Sequence, residues 1–77
     1  MALRLDALGP YQTLLYTTRA EIFFSYGTPV AARINGRGYV RTAHSSSPTT
    51  TKHIETWLGG IELQEIVDQS VLYDLLT

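Results

Sequence analysis

No cysteine occurs among the 77 residues, so the chain has no disulfide, no thiolate metal site and no thiol nucleophile to draw on. That absence fits an intracellular protein. Long apolar runs are missing as well. No run is longer than those at Ile22–Phe24 and Val30–Ala32, whereas a bilayer span needs about 20 apolar residues. Met1 to Pro10 carries Arg4 and Asp6 and no continuous apolar segment, so it reads as a loosely held arm rather than a signal peptide. There is no Gly-x-Ser-x-Gly elbow, no phosphate-binding loop and no dinucleotide fingerprint. The only histidines are His44 and His53, the nearest acid in sequence is Glu55, and no spacing suits the three or four ligands of a zinc site. These gaps point away from catalysis, from a cofactor and from a resident metal.

What is present is a chain long enough for one domain. At 44% hydrophobic and 17% charged residues it is too apolar to be disordered. A domain of this length buries only about 60% of its unfolded surface, so its stability rests on aromatic and aliphatic packing. The net charge of −1 conceals an uneven distribution. Thr28 to His53 holds Arg33, Arg37, Arg41 and Lys52 and no acid; Ile54 to Thr77 holds Glu55, Glu62, Glu65, Asp68 and Asp74 and no base. Either the two halves attract each other within the fold, or they form two surfaces of opposite sign and at least one meets a partner.

Periodicity predicts an α+β fold: a four-stranded antiparallel β-meander over 12–42, then two C-terminal helices over 48–76 packed on one face of the sheet. Gln12–Thr17 alternates and Glu21–Tyr26 is rich in β-formers. The next two strands, Val30–Ile34 and Gly38–Thr42, flank Asn35-Gly36-Arg37, and Asn-Gly is the strongest short-range hairpin signal. A three-residue loop places Val30, Ala32, Ile34, Val40 and Thr42 on one face and Ala31, Arg33, Tyr39 and Arg41 on the other. A two-residue loop would set Arg37 and Arg41 among apolar side chains. Ser47-Pro48 is a helix start. Thr50, Ile54, Trp57 and Leu58 give that helix one apolar stripe, and Gly59-Gly60 ends it. Glu62 and Glu65 then suit the first turn of a second helix. Its Leu63, Ile66, Val67 and Val71 lie opposite Leu72, Leu75 and Leu76, so one helix face is left for the last turn to fold inward or for another chain.

Three candidate surfaces follow. The acidic helix, with Glu62, Glu65, Asp68, Leu72, Leu75 and Leu76, suits a protein partner. The sheet face of Arg33, Tyr39 and Arg41, with Arg37 at the loop tip and Lys52 at the helix start, has the cations and the ring that phosphates and bases use. The leucines alone suit a homodimer or larger homo-oligomer. Phe23 and Phe24 are adjacent and point to opposite sides of their strand, so a sheet covered on one face leaves one ring for an interface.

Phe24-Ser25-Tyr26-Gly27-Thr28-Pro29-Val30-Ala31, Gly38-Tyr39-Val40-Arg41-Thr42, Thr49-Thr50-Thr51-Lys52-His53-Ile54 and Trp57-Leu58 resemble a family of small uncharacterised proteins of bacteriophages and other mobile elements. That family shares a Ser-Tyr-x-Thr-Pro-Val-Ala strand and a Thr-Thr-x-Lys-His helix start. The resemblance covers roughly residues 21–58 and implies a mobile-element setting, with no activity, cofactor or site residue attached. By analogy of size and architecture alone, it brings in inhibitors of host defence, among them anti-CRISPR proteins. The expectation is a non-enzymatic accessory protein in the host cytoplasm that binds a host or phage protein, with nucleic acid and a virion homo-oligomer as alternatives.

Overall fold

The computed structural model describes residues 4–44, 47–61 and 64–76. Its elements in chain order are β1 (Arg4–Gly9), β2 (Gln12–Tyr16), β3 (Ala20–Ser25), β4 (Thr28–Ile34), β5 (Gly38–Thr42), α1 (Pro48–Leu58), β6 (Gln64–Val67) and α2 (Gln69–Asp74). The strands form one six-stranded sheet in the order β1-β2-β3-β4-β5-β6. The α+β class stands, but the sheet has two strands more than the meander expected from sequence. No helix among the described residues is long and apolar enough to cross a membrane.

The middle of the sheet follows the local signals. Ile34 pairs with Gly38 and Arg33 with Tyr39, which makes Asn35-Gly36-Arg37 the three-residue loop. Gly36 and Gly38 take φ of 80° and 100°, a region that glycine enters without steric cost. At the β2–β3 turn, Thr17 Oγ1 accepts from the N–H groups of Arg19 and Ala20 at 3.1 and 3.0 Å. Asn35 Nδ2 donates to the Thr18 carbonyl at 3.1 Å and ties the two loops together.

Both added strands are edges. Residues 4–9 of the expected arm pair antiparallel with β2, Leu5 opposite Leu15 and Asp6 opposite Leu14. The Pro10-Tyr11 turn folds them back, a link that composition alone does not reveal. Residues 64–67, expected as the first turn of a helix, form a strand parallel to β5, with Arg41 beside Ile66 and Thr42 beside Val67. Parallel neighbours need a long crossover, and α1 supplies it. The β-branched Ile66 and Val67 suit the sheet, and Gly59 and Gly60, at φ of 62° and 83°, turn the chain out of α1 toward it. What remains of the second helix is α2. Asp68, expected inside that helix, is its N-cap and accepts from the Ser70 N–H at 3.2 Å.

The helices do not share a face. Leu14, Phe23, Val30 and Ala31 pack with Ile54 and Leu58 of α1, with Trp57 and Tyr39 at the margin. Ala20, Ile22, Ala32, Val40 and Val67 pack with Leu72 of α2, with Phe24, Leu15, Val71 and Leu75 at the margin. Neighbouring strand residues point to opposite faces, so Ile22 and Phe23 anchor two cores on the two sides of one sheet. On the α1 side Phe23 stacks on Trp57 at 5.2 Å between ring centroids, and Tyr39 meets Trp57 edge-on at 6.1 Å. The register shift between Phe23 and Phe24 leaves Val30 as the extra residue of a bulge in β4 and turns it into the α1-side core beside Ala31.

Candidate binding surfaces

The acidic segment is not one helix: its described residues divide between β6 and α2. Glu62 lies outside the described residues. Glu65 sits on β6, where Arg37 donates to it twice, from Nε at 3.0 Å and from a terminal nitrogen at 2.7 Å. Those bonds hold its carboxyl below the usual glutamate range. Asp68 is likewise held low by the hydroxyl and N–H of Ser70. Leu72 is fully buried and Leu75 half-buried against the α2-side core, which leaves Leu76 exposed. The leucine cluster expected to meet a second chain is therefore largely consumed by this chain's own core, because α2 has a sheet face to itself.

The basic sheet face is correctly registered, and two of its cations, Arg33 and Arg37, are paired with acids. Arg33 pairs with Tyr39 and Ala31 with Arg41 across β4 and β5, so all four share one face. Arg33 Nε donates to Glu21 at 2.7 Å from the next strand. Arg37 is taken by Glu65, and Tyr39 is half-buried against Trp57. Arg41 lines a cleft of about 500 Å³ with Thr51 and Gln64, while Lys52 is exposed on α1. Of the charge split, the Arg37–Glu65 pair shows that part is internal pairing across the fold.

The feature that sequence reading missed lies at the end of the sheet where the β1–β2 and β3–β4 turns meet. Gly9 pairs with Gln12 and Ser25 with Thr28, which leaves the loops Pro10-Tyr11 and Tyr26-Gly27. Tyr11 and Tyr26 take φ of 63° and 54°, the only positive values on non-glycine residues among those described. With Gly27 at 79°, the β3–β4 link has the two positive φ angles of a type I′ turn, whose first position normally goes to Asn, Asp or Gly. The Tyr26 N–H donates to the Tyr11 carbonyl at 2.8 Å. Their rings stack at 4.8 Å and 18°, and His53 extends the ladder from α1 at 5.9 Å from the Tyr26 ring. Tyr11 is 68% exposed and Tyr26 54%. Tyr26, expected as the last residue of a strand, is the first residue of the turn, and its pairing with Tyr11, fifteen residues earlier in sequence, has no local signal.

A family model described as a family of unknown function (DUF8033) matches residues 3–73. The chain belongs to that family. The match takes in every strand and α1, so the DUF8033 unit includes both edge strands that the motif resemblance over 21–58 left out. No curated protein and no solved structure matches the chain.

Within this DUF8033 domain the ladder is held from below. Ser25 Oγ lies 3.0 Å from His53 Nδ1 and 3.4 Å from Thr50 Oγ1. Ser47, the N-cap of α1, donates from Oγ to the same Thr50 hydroxyl at 3.2 Å and accepts from the Thr50 N–H. Ser25 is only 2% exposed, and its hydroxyl holds the imidazole in place. The net result is a hydrogen-bonded base under two exposed phenol rings.

Proposed function

We propose that this chain is a non-enzymatic binding module that engages a partner protein through the stacked pair Tyr11 and Tyr26. The observation that carries the reading is their backbone. A non-glycine residue in the left-handed region costs roughly 1 kcal/mol or more, and two adjacent turns place large exposed rings there where Asn or Gly would fold more cheaply. Strain retained at a surface of this kind is the mark of a contact site. Tyrosine suits the task, since it offers a large contact area with few rotatable bonds and is enriched among residues that dominate protein interfaces. The alternative through Arg33, Arg37, Tyr39 and Arg41 has weaker support, because Glu21 and Glu65 already engage two of those arginines.

In the mobile-element setting implied by the Ser-Tyr-x-Thr-Pro-Val-Ala and Thr-Thr-x-Lys-His motifs, the partner is a host protein complex in the cytoplasm and the effect is inhibition or modulation of host defence. Capture from host lysate with the wild-type chain, with Tyr11→Asn/Tyr26→Asn and with Arg33→Ala/Arg41→Ala separates the surfaces. Loss of the captured protein with the tyrosine variant alone is expected. Undiminished capture by that variant, or salt-dependent nucleic-acid binding abolished by the arginine variant, would overturn the reading.

A further inference from the structure

A second surface stands on separate observations. Among the described residues β1 pairs with β2 alone, so its outer row of N–H and C=O groups is an open template. Arg4 and Asp6 lie on the face of the sheet that carries Tyr16 and Leu14, and Leu5 lies on the other with Leu15. Arg4 and Leu5 are exposed, the Arg4 side chain at 66% and Leu5 at 67%, and Asp6 is half-buried with its side chain 42% open. Two cross-strand rows end on them. One runs Ala32, Ile22, Leu15, Leu5 and is apolar throughout. The other runs Tyr39, Arg33, Glu21, Tyr16, Arg4 and ends on a cation, which sits 4.0 Å above the Tyr16 ring and forms an exposed ion pair with Asp6 of its own strand at 3.4 Å, a pair that a second copy can exchange for two across the axis.

We propose that two copies of the chain pair antiparallel along β1, with Leu5 opposite Leu5 of the second copy and Arg4 opposite its Asp6. A two-fold axis at Leu5 brings two Arg–Asp pairs together at once and continues both rows: the apolar row into a second Leu5, the polar row from Arg4 into a carboxylate. Opposite charges directly across a strand pair stabilise it and like charges oppose it. An axis at Asp6 would set the two carboxylates against each other. It would also carry the pairing into the irregularity between Ala7 and Gly9, with Arg4 opposite Leu8, whereas the axis at Leu5 pairs Arg4 to Asp6 within the regular part of the strand. The same contact is isologous and closes as a dimer. A pairing of β1 with the opposite edge β6 would leave one free edge of each kind and grow without limit. The short contact is smaller than a standard interface, so the dimer is weak and concentration-dependent.

The absence of cysteine makes the test clean. Leu5→Cys should form a disulfide-linked dimer under mild oxidation, while Leu8→Cys should do so far less. By sedimentation, Arg4→Asp and Asp6→Arg should each weaken dimerisation about tenfold, since each converts two attractive pairs into repulsive ones. The swap Arg4→Asp/Asp6→Arg should restore it. Unchanged thermal unfolding of these surface variants verifies that the fold is intact. A monomer at every concentration, a dimer indifferent to the charge swap, or mass that rises without a plateau through β1–β6 contacts would each overturn the proposal. The tyrosine ladder is untouched by these variants, so failure here is distinguishable from failure of the partner-binding reading.

Discussion

If the tyrosines are presented for contact rather than kept for stability, removing both should not weaken the fold. Asparagine is the substitution that decides it. Asn enters the left-handed region readily, and Tyr26→Asn creates Asn-Gly at a type I′ turn, the pairing that hairpins favour most. Relief of backbone strain is worth about 1 kcal/mol at each site, or about 2 kcal/mol for the pair. Against it stand two ring contacts, Tyr11 on Tyr26 at 4.8 Å and Tyr26 on His53 at 5.9 Å. Aromatic pairs contribute about 0.5–1.5 kcal/mol each, and contacts so open to solvent fall at the low end. The double variant Tyr11→Asn/Tyr26→Asn should thus match the wild type or exceed it by up to about 1 kcal/mol, a rise of at most about 4–8 °C in Tm for a domain of this size. Urea and thermal unfolding of the wild type, both single variants and the double variant complete a cycle whose coupling term isolates the Tyr11–Tyr26 stack. A double variant that loses more than about 1 kcal/mol would refute the reasoning, since the rings would then belong to the structure rather than to a presented surface.

Phe23→Ala should cost about 3–5 kcal/mol, because Phe23 is fully buried beneath Trp57; the half-buried Phe24 should cost less, and urea midpoints rank the two. Gln69→Leu should destabilise by about 1–3 kcal/mol, since Gln69 Nε2 donates to the Pro29 carbonyl and its Oε1 accepts from the buried Thr42 hydroxyl, both at 2.6 Å. Equilibrium unfolding should show the loss with an unchanged slope. The carboxyls of Glu65 and Asp68 are held below their ordinary values by Arg37 and Ser70. A lowered folded-state value means that the contribution is fully present above the unfolded carboxylate range and is lost as pH falls through the folded values. Unfolding midpoints measured from neutral to strongly acidic pH should therefore decline below the ordinary carboxylate range, and Glu65→Gln should flatten part of that decline.

The elements legible in the chain are those whose signals are local. Asn35-Gly36-Arg37 announces its hairpin through glycine's tolerance of positive φ, and side-chain alternation then gives the correct faces for Arg33, Tyr39 and Arg41. Ser47-Pro48 and Gly59-Gly60 mark the ends of α1 because caps and breakers act within a turn. The helix expected over residues 64–67 is a strand for the opposite reason. Ile66 and Val67 fit a helix as well as a strand by periodicity. The choice fell to β5, a partner more than twenty residues away, which also gave Arg37 its glutamate.

Tertiary structure alone decided three things: that residues 4–9 form one edge of the sheet, that the helices take opposite faces, and that Tyr11 stacks on Tyr26. Each depends on which distant segments lie side by side. Pairing energy belongs to the contact between two strands and leaves no mark on either strand by itself, whereas turns and caps are written in the residues that form them.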